Sequence, residues 1–308
     1  MPNDHPLYKE IESRITRIRA GYSGETYVDN FLKNIEFPSP YVIFKDINIQ
    51  TSANTKAQFD TLIVTPMFVC ILEIKALKGR ISFQKTPAQL IREVDGVKTS
   101  LKCPEEQLKR HERRLVKWLN SIQINLPIKS AIVFAFSSTI VDLPPRYSNI
   151  MMGCDVGSYI EDLFDLPPTL TEKDFNSLIN SLQQAKTNYS PTPLVSIFPT
   201  QDLKIVKGLL CPQCSINIGT LYKCPTCKIP RKVIITNALE DWFYLMKSTI
   251  TTKECQDFLQ LRDKTSASHI LNRANLIPKN NGRYRFYKLF DDVNEDSFSR
   301  HNEVLEKK

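Results

Sequence analysis

The stretch QFDTLIVTPMFVCILEIK (58–75) narrows the fold most. Two apolar runs flank Thr65-Pro66-Met67, a pattern that reads as a hairpin of two buried strands. With Pro66 and Met67 as the loop, Thr65 pairs with Phe68, Thr61 faces Leu72 and Asp60 faces Glu73. Successive side chains of a strand point to opposite faces, so Glu73 and Lys75 share one face while Leu72 and Ile74 share the other. Ionised groups are rarely fully buried unless they are paired or bind a metal. Two readings follow: an exposed edge strand carrying a surface ion pair, or a pair of charges with chemical work.

The second reading has a physical form. Opposed carboxylates with Cβ atoms roughly 4.5–5.5 Å apart repel unless positive charge lies between them. Mg²⁺ or Mn²⁺ suits two hard oxygen donors with room for water. Lys75, on the face of Glu73, would point toward the same waters and could orient one or stabilise charge building on a phosphate.

The flanking sequence completes a mixed α/β domain over residues 1–188. Residues 7–34 read as two helices meeting at AGYSGE, Gly21 ending the first and Glu25 lying in the first turn of the second, where the helix dipole favours a carboxylate. Strands are expected at YVIFKDI, RISF and QLIREV, the last closed by the turn DGVK. CPEEQLKRHERRLVKWLNSI is a helix with Pro104 in its first turn and Leu108, Leu115, Trp118 and Leu119 on its apolar face. Gln107 and His111 share one side of it, facing either substrate or solvent; His111 alone reads as a surface residue. KSAIVFAF is a buried strand. The proline-rich TNYSPTPLVSIFPTQD marks a linker, 189–207.

Beyond it, CPQCSINIGTLYKCPTC spaces Cys211, Cys214, Cys224 and Cys227 as C-x₂-C-x₉-C-x₂-C. Four thiolates so arranged build a closed tetrahedral Zn²⁺ site of the structural type, a zinc ribbon over 208–232. Residues 233–290 then offer three helices, the second opening with a Thr251/Glu254 capping box, and a hairpin around NNG bearing Arg283, Arg285 and Lys288. This order resembles a winged helix-turn-helix, with Asn272 and Arg273 on the helix that would reach bases and the hairpin on phosphates. Charge agrees: residues 201–290 hold 15 basic against 6 acidic groups, while residues 1–200 hold 23 against 21. DNA is the expected partner, with RNA as the alternative. The tail, 291–308, is polar and acidic. The chain shows neither a signal peptide nor a membrane-length apolar run, so a cytoplasmic protein is expected.

The set GYSGE (21–25), QFD (58–60), EIK (73–75) and CPEEQ (103–107), in this order and spacing, resembles the NERD family, the nuclease-related domain, whose fold is akin to that of the PD-(D/E)xK nucleases. The opening PNDHPLYKEIESRITRIRAGYSGE resembles members found in Gram-positive bacteria. The likeness runs to about residue 140 and again over the C-terminal part. It implies a restriction-endonuclease-like mixed sheet flanked by helices, and a catalytic set falling on Glu25, Asp60, Glu73 and Lys75, with Gln58 and Gln107 as further motif positions. Two departures are Ala76 and Cys103, where members often carry Asn. The activity implied is Mg²⁺- or Mn²⁺-dependent hydrolysis of phosphodiesters; the alternative is a DNA-binding or adaptor protein whose nuclease-like core does not cleave.

Overall fold

The computed structural model describes residues 5–52, 55–187, 192–198, 205–281 and 284–289. The chain divides into two compact units, Met1–Thr187 and Asn188–Lys308.

The first unit runs α1 (Pro6–Leu32), β1 (Val42–Ser52), β2 (Thr55–Val64), β3 (Val69–Lys75), β4 (Gly79–Lys85), β5 (Ala88–Val94), β6 (Val97–Lys102), α2 (Pro104–Ser121), β7 (Ile128–Phe134), β8 (Thr139–Leu143), β9 (Asn149–Met152), α3 (Val156–Asp162) and α4 (Glu172–Ala185). A five-stranded mixed sheet has the order β1-β2-β3-β7-β9, and a four-stranded sheet the order β6-β5-β4-β8. Val28 and Leu32 of α1 pack with Cys70, Leu72 and Ile74, whereas Leu108, Leu115, Trp118 and Leu119 of α2 pack with Val69 and Ile71. The strand's alternation thus separates the two cores, one helix covering each face.

The β2–β3 hairpin has the expected register from Thr61 opposite Leu72 to Val64 opposite Val69, but the ladder stops there and the expected Asp60–Glu73 pair is not part of it. Thr65 makes the Pro-Met turn workable, because its Oγ1 accepts from the N–H groups of Met67 (3.1 Å) and Phe68 (3.0 Å). The edge-strand reading of β3 is overturned: it is the middle strand, antiparallel to β2 and parallel to β7. At the β5–β6 turn, Asp95 and Gly96 both take positive φ, 51° and 76°, as a two-residue hairpin requires.

The expected break at AGYSGE does not occur. Residues 6–32 form one helix, and Glu25 lies in its interior. The glycines have different work: a Cβ on Gly24 would stand 2.6 Å from Cβ of Ala76 and 3.1 Å from Cβ of Ala135, so the missing side chain lets α1 sit against the ends of β3 and β7. Gly21 faces open space.

The second unit contains α5 (Leu194–Ile197), inside the stretch read as linker, then the cysteine cluster, α6 (Arg231–Leu245), β10 (Thr249–Thr251), α7 (Thr252–Leu259), α8 (Lys264–Arg273), β11 (Leu276–Asn281) and β12 (Tyr284–Leu289). A three-stranded sheet has the order β10-β12-β11. The capping box at the start of α7 forms, Thr251 Oγ1 accepting from Glu254 N and Glu254 Oε2 accepting from Thr251 N. Cys211 and Cys224 share one hydrophobic core with Trp242, Phe258, Leu271 and Tyr287. The acidic tail lies outside the described residues. No helix among the described residues is long and apolar enough to cross a membrane.

Candidate functional site

Glu73 is fully buried at the C-terminal end of β3. Lys75 Nζ forms an ion pair with its Oε1. Its Oε2 faces Nδ1 of His111 at 3.4 Å, in ion-pair range but without hydrogen-bond alignment, and neither atom has another hydrogen-bond partner. His111 is 8% exposed on α2, its ring 5.3 Å from that of Phe59. The surface reading of this histidine is therefore wrong. Its neighbours were the missed signal: 108, 111, 115 and 118 follow the 3-4-3 spacing of one buried helix face.

Asp60 lies just past the last ladder pair of the hairpin, and its Oδ2 accepts from Ile74 N at 2.8 Å. Strict alternation fails here, since Phe59 and Leu62, three residues apart, enter the same core. On the neighbouring strand Lys45 pairs with Thr61 and Ile47 with Phe59, and Asp46, between them, takes a left-handed φ of 43°. Asp tolerates that conformation better than most residues. Gln58 is engaged with this kink, its Nε2 donating to Asp46 Oδ1 at 2.6 Å. Asp46 escaped the sequence reading because no periodicity announces a kinked strand.

Glu25 feels these groups through space. Burial, then the charges of Asp60, Asp46 and Asp29, raises its carboxyl to about 7, with Lys75 opposing. Burial and the neighbouring Glu73 raise Asp60 to about 6, against Lys75, the Ile74 N–H and His111. Burial also pushes Glu73 upward, but His111 and Lys75 outweigh it and hold that carboxyl below its ordinary value. One carboxylate of the pair is thus kept ionised while the other holds its proton more tightly. Gln107 is half-buried one turn before His111.

Among the described residues, one group brings three or more ligand atoms within 4.8 Å of one another: Cys211, Cys214, Cys224 and Cys227. Two matching knuckles present them. Cys211 O accepts from Ser215 N and Cys224 O from Lys228 N, and Ser215 and Lys228 take left-handed φ of 56° and 65°. The intervening INIGT stretch forms no strand; single bridges, Leu210 to Asn217 and Lys223 to Pro230, close the knuckles. Four cysteines so gathered could hold a metal such as zinc.

Asn272 is committed within the fold, its Oδ1 accepting from the Tyr287 hydroxyl at 2.9 Å. Arg273 is exposed in the last turn of α8. Arg285 and Lys288, three apart on β12, point to opposite faces. The Arg285 guanidinium lies 5.2 Å from the Tyr287 ring centroid. Arg283 lies outside the described residues.

Residues 20–135 match the family model of NERD, the nuclease-related domain. No curated protein and no solved structure matches the chain.

Proposed function

We propose that the nuclease-related domain of this chain is a Mg²⁺- or Mn²⁺-dependent nuclease acting on DNA, with RNA as the alternative substrate, and that the C-terminal unit holds the nucleic acid. One observation carries the reading: Glu73, wholly buried, stands beside Asp60, and an oxygen of Glu73 faces only an unaligned imidazole. Buried like charges of this kind call for added positive charge. Asp60 and Glu73 would hold the cation, with water completing its shell, as hard cations with few protein ligands require. Bound there, a divalent ion supplies Lewis acidity toward a phosphate oxygen.

The chain's own groups divide the remaining work. Lys75 and His111 orient the Glu73 carboxylate from its two oxygens. The Lys75 ammonium, partly exposed, offers positive charge to a phosphate. Glu25, raised to about 7, is matched to accept a proton near neutral pH.

In the second unit, α6, α7 and α8 followed by the β11–β12 hairpin support a winged-helix-like reading. Structural Zn²⁺ at the four cysteines would brace the core they share with these helices. Arg273, Arg285 and Lys288 are the exposed cations offered to phosphates.

A second reading, a DNA-binding or adaptor protein without cleavage, is favoured by one fact: among the described residues, the carboxylates do not gather three ligand atoms within 4.8 Å, as the cysteines do. The deciding experiment incubates the purified chain with labelled single- and double-stranded DNA and RNA, with Mg²⁺, with Mn²⁺ and with chelator. Cation-dependent cleavage that disappears in Asp60→Asn and Glu73→Gln is expected. Binding without cleavage under every condition would establish the second reading instead.

A further inference from the structure

The buried part of α1 begins at Gly24, with Gly24, Val28 and Leu32 on its inner line. Before it, none of residues 7–23 is buried, yet their apolar side chains are ordered. Tyr8, Ile11, Ile15, Ile18 and Tyr22 recur at 3-4-3-4 spacing, the a/d repeat of a coiled-coil seam. Ile15 is 43%, Ile18 64% and Tyr22 69% exposed. At 3.6 residues per turn this stripe is rotated by roughly 120° from the line of Gly24, Val28 and Leu32. It is a separate face, not the core face continued.

The flanking charges select what covers it. With Ile15 and Tyr22 at a positions and Ile11 and Ile18 at d, Glu12 and Arg19 occupy e and Arg14 occupies g. A second copy packed in parallel would set Arg14 against Arg19. Packed antiparallel, e meets e, and Glu12 of each copy meets Arg19 of the other, while Arg14 meets the neutral Gly21. The same register stacks Ile15 on Ile18 and Ile11 on Tyr22, with the symmetric pairs completing four layers.

We infer that the N-terminal half of α1 is an antiparallel, two-fold dimerisation seam for a second copy of this chain. The inference rests on α1 alone and does not depend on the nuclease reading. The apolar stripe ends at Tyr22, one turn before Glu25, and the same register brings Tyr8 of each copy level with Glu25 of the other. Two heptads make a short interface, and the association is concentration-dependent.

Sedimentation velocity of the full chain across micromolar concentrations tests this. The parent is expected to shift from monomer to dimer, and Ile18→Asp to remain monomeric with an unchanged circular-dichroism spectrum, because Ile18 touches no core. Glu12→Arg and Arg19→Glu alone should each weaken association about tenfold, since each turns two attractive pairings into repulsive ones. The double variant Glu12→Arg/Arg19→Glu should recover the parent's association, because the exchanged pair is again complementary. A parent that stays monomeric throughout, an Ile18→Asp variant that still dimerises, or a double variant no better than either single one would overturn the inference. Binding of anionic lipid vesicles by a monomeric parent would assign the stripe to a membrane surface and overturn it equally.

Discussion

The His111 Nδ1 atom lies 3.4 Å from Oε2 of Glu73, joining α2 to the middle strand of the sheet through two buried polar atoms that have no hydrogen-bond partner. Removing one member strands the other. His111→Ala is expected to cost about 1–3 kcal/mol of stability, from lost packing beside Phe59 and loss of the group that faces the buried Glu73 carboxylate. Any cation-dependent cleavage should fall roughly 10–100-fold, as when a partner orienting a metal ligand is removed. His111→Gln, which can still donate toward Glu73, should recover part of both. Denaturant melts and initial rates are the checks; an alanine variant equal to the parent in both would reduce His111 to a spectator.

The raised carboxyls imply a definite pH dependence. Glu25 moves from an ordinary 4.5 to about 7 and Asp60 from 3.8 to about 6. A carboxyl raised in the folded state binds its proton more tightly there, so its contribution is complete below the ordinary value and is lost as pH rises through the folded value. Cation-free protein should therefore lose stability between pH 4.5 and 8, and Glu25→Gln should flatten that slope. Melting temperatures measured at half-unit intervals of pH in chelator will show it; a parent and a Glu25→Gln variant with parallel profiles would refute it.

The two glycines of α1 make opposite predictions. Gly24→Ala forces a Cβ to within 2.6 Å of Ala76, an overpacking that costs typically about 1–3 kcal/mol and pushes Glu25 away from the strand ends. Gly21→Ala meets nothing within 4 Å and should stabilise the helix by up to about 1 kcal/mol. Chemical denaturation of the two variants beside the parent separates the sites, and equal effects would mean that the close approach of α1 to Ala76 is not maintained.

The cysteine cluster should carry one Zn²⁺ per chain, held tightly enough to survive purification. Cys211 and Cys224 are buried in the core shared with Trp242 and Phe258, so Cys211→Ser or strong chelation should loosen α6–α8 together with the knuckles. The first unit has its own cores and should be spared. Elemental analysis combined with hydrogen exchange measures both, and reduced protein lacking metal but with a protected second unit would contradict the assignment.

For nucleic-acid binding, whichever of Lys288→Ala and Arg285→Ala removes the side chain on the nucleic-acid face should weaken affinity across sequences and lower the salt slope by roughly one unit for each phosphate no longer neutralised. Because the two side chains leave β12 on opposite faces, only one is expected to show the effect fully. Asn272→Ala should instead cost about 1 kcal/mol of stability, since its carbonyl accepts the Tyr287 hydroxyl. Fluorescence-anisotropy titrations at several salt concentrations decide it, and salt-independent binding by all three would argue for a protein partner.

Much of this was determined by the sequence by itself, because it depended on neighbours along the chain. Alternation and the Thr65-Pro66 turn set the β2–β3 register as far as Thr61 and Leu72, and the cysteine spacing formed two knuckles from local backbone turns. Tertiary structure decided the rest. That β3 lies in the middle of its sheet depends on β7 pairing with it across some sixty residues, which no local pattern reveals. Gly21 and Gly24 look alike in sequence, and only the positions of Ala76 and Ala135 distinguish a packing glycine from a free one. His111 became the partner of Glu73, and Asp46 a neighbour of Glu25, because burial brings together charges distant in sequence, where desolvation makes their interaction strong enough to matter.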